Sequence, residues 1–277
     1  VGFKLILLRF PPRMSKITPV VLLTVPKGKV AEVEKWVHQR HVAFIGSSHK
    51  RDGPCKLNLY TTSQAPVLSD PMNMESKAEE SGSQTIAFFE TYVGMEGLLD
   101  HWKLGGESGM LPSFMKLMED GVKGDFIQPL AVRIEENYLP KAPVEVLSGA
   151  CQVFVKFLFS KELEKEVLAM MDSHVKWIKE THLEEQKTFT GDKKLLYYMQ
   201  GTCPVLSNPM DLKSNPVKEG TQCMVFTEIY ASKAGLQEHW KAASTWKDMP
   251  QLGKLQEKGM KAEFYQPLEV RGSINWF

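Results

Sequence analysis

Six of the seven histidines in this 277-residue chain fall into pairs at one of two fixed separations. His41 and His174, and His49 and His182, are 133 residues apart, and His101 and His239 are 138 apart; only His38 has no counterpart. Imidazole titrates near neutral pH and can act as acid, base or ligand, so a paired set of histidines suggests the same chemistry carried out twice. Other chemically useful side chains recur at the same separations: Tyr60 with Tyr198, Glu90 with Glu228, Tyr92 with Tyr230, and Trp102 with Trp240. We take His41, His174, His101 and His239 as candidate bases. His49, His182 and the paired Tyr, Glu and Trp residues are candidate substrate contacts. The plainer alternative is a set of core histidines, each with one satisfied hydrogen bond. A carboxylate on a strand face shared with Phe88 and Tyr92, or Phe226 and Tyr230, is costly unless paired. Arg133 and Arg271, at the ends of the neighbouring strands, are the expected partners.

Three histidines and one glutamate per copy could in principle form a non-haem iron or zinc site. No HxH or HExxH spacing occurs, so no metal is expected. Nucleophilic catalysis has less support: no cysteine is paired between copies, and there is no GxSxG or phosphate-cradling glycine loop. The four cysteines form no CxxC, which fits a reduced, cytoplasmic setting. With 34 Lys+Arg against 33 Asp+Glu and no basic block, neither nucleic acid nor a membrane surface is an expected partner. The apolar run from Phe3 to Phe10 is interrupted by Lys4 and Arg9 and is too short to span a bilayer.

The elements that must position these residues follow from an internal repeat. At an offset of 138, residues 56–133 align with 194–271 without a gap, and 32 of the 78 positions are identical, where average composition gives roughly 5. PVLSDPM (66–72) returns as PVLSNPM (204–210), GLLDHWK (97–103) as GLQEHWK (235–241), and FIQPLAVR (126–133) as FYQPLEVR (264–271). Upstream the offset is 133, where HVAFIGSSH (41–49) matches HVKWIKETH (174–182). The expected division is an extension at 1–14, of which residues 1–13 are expected to precede a native start at Met14; a first repeat, 15–133; a linker, 134–148; a second repeat, 149–271; and a tail, 272–277.

Within each copy the apolar periods change in the same order. Residues 18–25 and 152–159 are β-branched and aromatic runs that read as strands. Val30, Val33, Val37, Phe44 and Ile45 form a helical stripe with His41 on it, and Leu163, Val167, Met170, Met171, Trp177 and Ile178 repeat that stripe around His174. Strands at 56–61 and 84–92, a helix near 95–104, a helical turn after Pro112 and a strand at 124–132 complete a βαββαβ unit. The fold class is α+β: tandem ferredoxin-like repeats forming an intramolecular dimeric α/β barrel. Strands apolar on both sides require the second sheet face to be buried as well, and the other copy supplies the cover. The PVLS(D/N)PM segment is a loop, because its prolines and its Ser-Asp/Asn turn cannot continue a strand. A lid or pocket rim is one reading of it, and a rigid inherited turn is the other.

The sequence E-x-Y, then G-L-x-x-H-W-K, then a proline and an amphipathic turn before the last strand resembles the antibiotic-biosynthesis-monooxygenase (ABM) type of dimeric α/β barrel, over both repeats. The resemblance implies a Glu on the third strand and a His on the following helix in functional positions, which are Glu90 and His101, Glu228 and His239. In haem-degrading relatives a histidine one helical segment later ligates iron; Met118 and Gln256 stand there in this chain, so haem is not expected. The expected function is binding of a small hydrophobic, aromatic or quinol-like molecule, with cofactor-independent oxygenation or a related proton transfer. The alternatives are a non-catalytic carrier of a hydrophobic ligand or pigment, and a barrel whose pockets are filled by side chains. The expected assembly is a pseudo-twofold monomer or a homodimer.

Overall fold

The computed structural model describes residues 16–139, 147–183, 189–209, 211, 214–217 and 220–275. The expected extension at 1–14 and part of the expected linker lie outside the described residues. The first half runs β1 (Ile17–Val25), α1 (Val30–Glu34), a π-helical segment (Lys35–His41), α2 (Val42–Ser48), β2 (Leu57–Pro66) and β3 (Gln84–Tyr92). It continues with α3 (Gly94–Glu107), α4 (Met110–Glu119) and β4 (Lys123–Asn137). The second half runs β5 (Cys151–Ser160), α5 (Glu164–Ile178), a π turn (Lys179–Leu183), β6 (Leu195–Pro204) and β7 (Thr221–Tyr230). After α6 (Lys233–Ala242) and α7 (Met249–Glu257), the last strand position is shared by β8 (Lys261–Phe264) and β9 (Leu268–Asn275).

All pairings between these strands are antiparallel. In the first half the order across the sheet is β4-β1-β3-β2, and in the second the β8/β9 position is followed by β5, β7 and β6. The halves join edge to edge at two seams. β4 pairs with β6 from Ala131↔Thr202 to Asn137↔Tyr197, and β2 pairs with β9 from Leu59↔Asn275 to Gln64↔Glu269. The result is a closed barrel with no free edge in the ring, which removes the unpaired backbone groups an open sheet exposes. The seam strands run beyond the boundaries expected from sequence: β4 continues past 133 and β9 past 271. The IEEN segment (134–137) is polar enough to read as linker, yet Ile134 packs on the second half's core and Glu135 accepts a hydrogen bond from Tyr197 at 2.8 Å.

The alternation along β1 shows why its run is apolar throughout. Val20 and Leu22 point into the barrel with Phe89, Phe154 and Met199, while Val21 and Leu23 point outward beneath the helices with Trp36, Ile45 and Phe114. A matching outer layer covers the second half, with Val155, Phe157, Met170, Trp177 and Trp246. The core is thus one barrel interior shared by both halves and two separate helix-on-sheet layers. The helical turn expected after Pro112 is a full helix, α4. Among the described residues no helix is long and apolar enough to cross a membrane, and all four cysteines are buried and outside any disulfide.

Candidate functional site

In each outer layer a strand, its neighbour and two helices converge on one carboxylate. Glu90 lies on β3 directly opposite Tyr60 on β2, and Glu228 lies on β7 opposite Tyr198 on β6, so each tyrosine shares its carboxylate's outward face. The helix above delivers His41 and His174. Nδ1 of His41 meets the Tyr60 hydroxyl at 2.8 Å, and Nδ1 of His174 meets that of Tyr198 at 3.3 Å. Each ring is thereby held with Nε2 toward the carboxylate: His41 Nε2 to Glu90 Oε1 is 3.8 Å, and His174 Nε2 to Glu228 Oε1 is 3.9 Å.

The helix after the strand brings the second imidazole from the opposite side. His101 Nε2 lies 3.8 Å from Glu90 Oε2, and His239 Nε2 lies 3.7 Å from Glu228 Oε2. The tyrosine two residues along each strand donates to that same Oε2, Tyr92 at 2.5 Å and Tyr230 at 2.7 Å. Oε1 of Glu90 and of Glu228 is buried and accepts no hydrogen bond from the protein.

A chain of hydrogen bonds fixes which nitrogen of His101 carries its proton. The Ser48 hydroxyl donates its single proton to the Phe44 carbonyl at 2.5 Å, so at 2.8 Å from His49 Nδ1 it can only accept. His49 therefore has its proton on Nδ1 and a bare Nε2, and the 2.8 Å contact between that Nε2 and His101 Nδ1 is donated by His101. The remaining nitrogen of His101, Nε2, faces Glu90 with a lone pair. The second half repeats this with threonine in place of serine. Thr181 donates to the Trp177 carbonyl at 2.6 Å and accepts from His182 Nδ1 at 2.7 Å, and His239 Nδ1 donates to His182 Nε2 at 3.0 Å.

Burial holds every one of these imidazoles neutral at physiological pH. It lowers His41 well below the ordinary histidine value, His49 to about 3, His101 to about 4, His174 to about 4, His182 to about 2 and His239 to about 3. Burial also disfavours the carboxylate charge: it raises Glu90 to about 7 against the opposing Tyr92 hydrogen bond, and raises Glu228 in the same direction. The expected arginine partners are absent from both sites. Arg133 pairs with Asp172 at 2.9 Å and Arg271 with Glu269 at 3.3 Å; each stands on a strand that joins the opposite half, away from the carboxylate of its own repeat. A lone pair opposite a carboxylate calls for something electron-poor between them: a proton on a bound ligand, or a cation. Two imidazoles and one carboxylate are also a donor set that a transition metal accepts.

Each cluster forms the polar end of an apolar cavity. In the first half the cavity, ≈ 70 Å³, is walled by Trp36, Phe44, Phe88, Trp102 and Phe114; in the second, ≈ 110 Å³, by Met171, Trp177, Phe226, Trp240 and Trp246. Both are smaller than the roughly 150 Å³ apolar cavity that takes benzene, so a one-ring ligand needs some give in the walls. Trp102 and Trp240, expected as substrate contacts, line these walls half-buried. The repeated loops cross over. Met72, from the first half's PVLSDPM, lines the second half's cavity, and Pro209, from PVLSNPM, lines the first. Lys233 on α6 secures the first of these loops by donating to the Met74 carbonyl at 2.8 Å.

All fourteen candidate residues therefore lie in or against these two clusters. His38, the unpaired histidine, does not: it bridges Thr62 and Gln64 at 2.9 Å each. Sequence reading missed Ser48 and Thr181, although a hydroxyl precedes the histidine in both copies (SH at 48–49, TH at 181–182). It also missed Trp36 and Trp246, which have no counterparts at the repeat offsets.

No protein-family profile and no curated protein matches the chain. Solved structures do share its fold. A candidate monooxygenase from Fusobacterium nucleatum superposes with a TM-score of 0.55 at 12% identity, covering 94% of each chain. A candidate monooxygenase from Lactobacillus acidophilus NCFM gives 0.51 at 10% identity, covering 95% of this chain and 97% of the other. An anthrone oxidase-like protein gives 0.51 at 10% identity, with 95% and 94% covered. At these identities the likeness establishes the α+β barrel fold alone.

Proposed function

We propose that this chain is a monooxygenase-like oxidoreductase of the ABM type, two ferredoxin-like repeats fused in tandem, and that each repeat binds one small, flat aromatic or quinol-like molecule. The observation that carries this reading is the repeated union of a ring-walled cavity with a His–Glu–His cluster at its polar end. An apolar ring fits the walls. The acidic hydrogen of the substrate, or the oxygen bearing it, then points at the inward lone pair of His101 or His239. Drawing off that proton leaves a substrate anion in a dry pocket, where it can give electrons to O₂. For an activated ring CH₂ the overall change is CH₂ + O₂ → C=O + H₂O, with the substrate supplying all the electrons. The names of the fold neighbours agree with chemistry of this kind.

The test is oxygen uptake by purified protein given a panel that runs from one-ring hydroquinones and catechols up to anthrones, with products weighed by mass spectrometry. Uptake above the spontaneous rate is expected, falling to that rate in the double variant His101→Asn, His239→Asn. If no member of the panel turned over and an aromatic molecule co-purified and was released unchanged, the protein would be a carrier instead.

A further inference from the structure

We propose that each cluster is a binding site for one divalent transition-metal ion, held by His41 Nε2, Glu90 and His101 Nε2 in the first half and by His174 Nε2, Glu228 and His239 Nε2 in the second. This deepens the reading above and rests on it for the substrate, but it gives the Nε2 lone pair of His101 and His239 to the ion, which then takes over from the imidazole the task of acidifying the substrate; the site itself rests on geometry.

In both halves the three donor atoms lie within 4.8 Å of one another. Metal–ligand bonds of about 2.0–2.2 Å place neighbouring donors about 3.0–3.6 Å apart. The nitrogen-to-carboxylate separations of 3.7–3.9 Å therefore close on an ion with a shift of a few tenths of an ångström. They are too long for hydrogen bonds, so the groups are gathered without bonding one another. The second indication is the orphaned carboxylate oxygen. Glu90 and Glu228 are 2% and 1% exposed, and Oε1 of each accepts no hydrogen bond while facing the cluster. Among the described residues no Lys or Arg pairs with either carboxylate. A buried polar atom left this way is costly unless something else satisfies it.

The outer ring of contacts is that of a ligand set. A metal-bound histidine typically has its other ring nitrogen engaged by a neighbour that fixes the ring and its tautomer. Tyr60 and Tyr198 engage Nδ1 of His41 and His174; the Ser48–His49 and Thr181–His182 chains make Nδ1 the protonated nitrogen of His101 and His239. The lone pair each chain leaves on Nε2 is what a metal requires.

The ion would also remove a difficulty in the chemistry. A substrate anion formed in the bare pocket would lie against Glu90 or Glu228, like charge against like. A divalent ion neutralises the carboxylate, keeps a net positive charge, and lowers the pKa of a bound hydroxyl so that its proton is released to solvent. Three protein ligands leave coordination positions open toward the cavity, and two imidazoles with one carboxylate favour ferrous-type ions over Mg²⁺ or Ca²⁺.

The probe is Co²⁺ added to chelator-stripped full-length protein, read by its visible d–d absorption. Saturation is expected at two Co²⁺ per chain, at one in Glu90→Gln or Glu228→Gln, and at none in the double variant. Each variant exchanges a buried carboxyl for an amide of the same shape that can still accept from Tyr92 or Tyr230, and circular dichroism of each variant checks that the fold is kept. Absence of the absorption in the wild-type chain, or the same saturation in the double variant, overturns the proposal. Two Co²⁺ bound without turnover of any aromatic substrate supports the site and counts against the substrate reading. Turnover by stripped protein that takes up no Co²⁺ does the reverse.

Discussion

The two sites keep the same polar geometry and reach their apolar walls by different routes. In the first half the indole over the central histidine comes from the same helix: Trp36 stacks on His41 at 5.0 Å, with 22° between planes. That contact depends on the π-helical segment Lys35–His41, since i→i+5 winding sets residues five apart one above the other. In the second half α5 is regular through His174, and Ala169, at the position matching Trp36, faces solvent. Trp246, from the turn before α7, takes the place of Trp36 beside His174 at 4.9 Å, tilted by 59°, while Trp177 on α5 stacks on His174 at 5.7 Å where Phe44 stacks on His41. Even the indole N–H bonds run in opposite directions: Trp36 on the helix donates to Ser113 on α4, whereas Trp246 from the turn donates to Ser173 on α5. Hydrogen bonds and lone pairs demand direction and distance, while a wall demands only volume. Change has accordingly collected in the walls.

This comparison can be broken or sharpened at four points. The largest effect belongs to what the halves share. Phe89 in the barrel interior meets Phe154 and Tyr197 of the other half at 6.2 and 5.8 Å. Phe89→Ala should cost about 3–5 kcal/mol and shift one calorimetric transition as a whole; a melt that split in two would show separately folding halves. Next are the matched glycines of α3 and α6. A Cβ on Gly97 would lie 2.6 Å from the Cys55 carbonyl oxygen, and one on Gly235 2.7 Å from that of Lys193. Gly97→Ala and Gly235→Ala should each cost about 1–3 kcal/mol in urea unfolding, and unequal losses would show that the scaffolds, not only the walls, have diverged. Third, Ser48→Ala and Thr181→Val should each weaken Co²⁺ binding about 10–100-fold in their own half only, resolved as a biphasic titration. The smallest effect is at the crossed loops. Met72 is 48% exposed, so Met72→Ala should leave stability within about 0.5 kcal/mol. It should speed release of an aromatic probe from the second pocket a few-fold, while Pro209→Ala moves only the release phase of the first.

The polar half of each site was legible in the sequence because the repeat made it so: a rare residue returning at a fixed offset singles out His41, His101 and their partners without any coordinates. The barrel was legible for a related reason, since strands such as 18–25 are apolar on both faces and need two covers. Pairing is blind to what the two copies do differently, which is why Trp36 and Trp246 escaped. The periodic stripe through Val33, Val37 and His41 gave no sign of the π segment, because inserting one residue into a turn leaves the later apolar positions facing the sheet. The arginine partners failed on topology. Arg133 and Arg271 lie inside strands that run on to join the opposite half, and only the closed ring shows where those strands lead.

The seams at β4–β6 and β2–β9 have one more consequence. In a barrel assembled from two identical chains, any substitution appears in both pockets at once, so a change that enlarges one enlarges the other. Here a single polypeptide encodes the two pockets separately, and they already differ, at ≈ 70 and ≈ 110 Å³. One can drift toward a bulkier guest while the other keeps its original one, which gives the molecule two independently adjustable appetites within one frame.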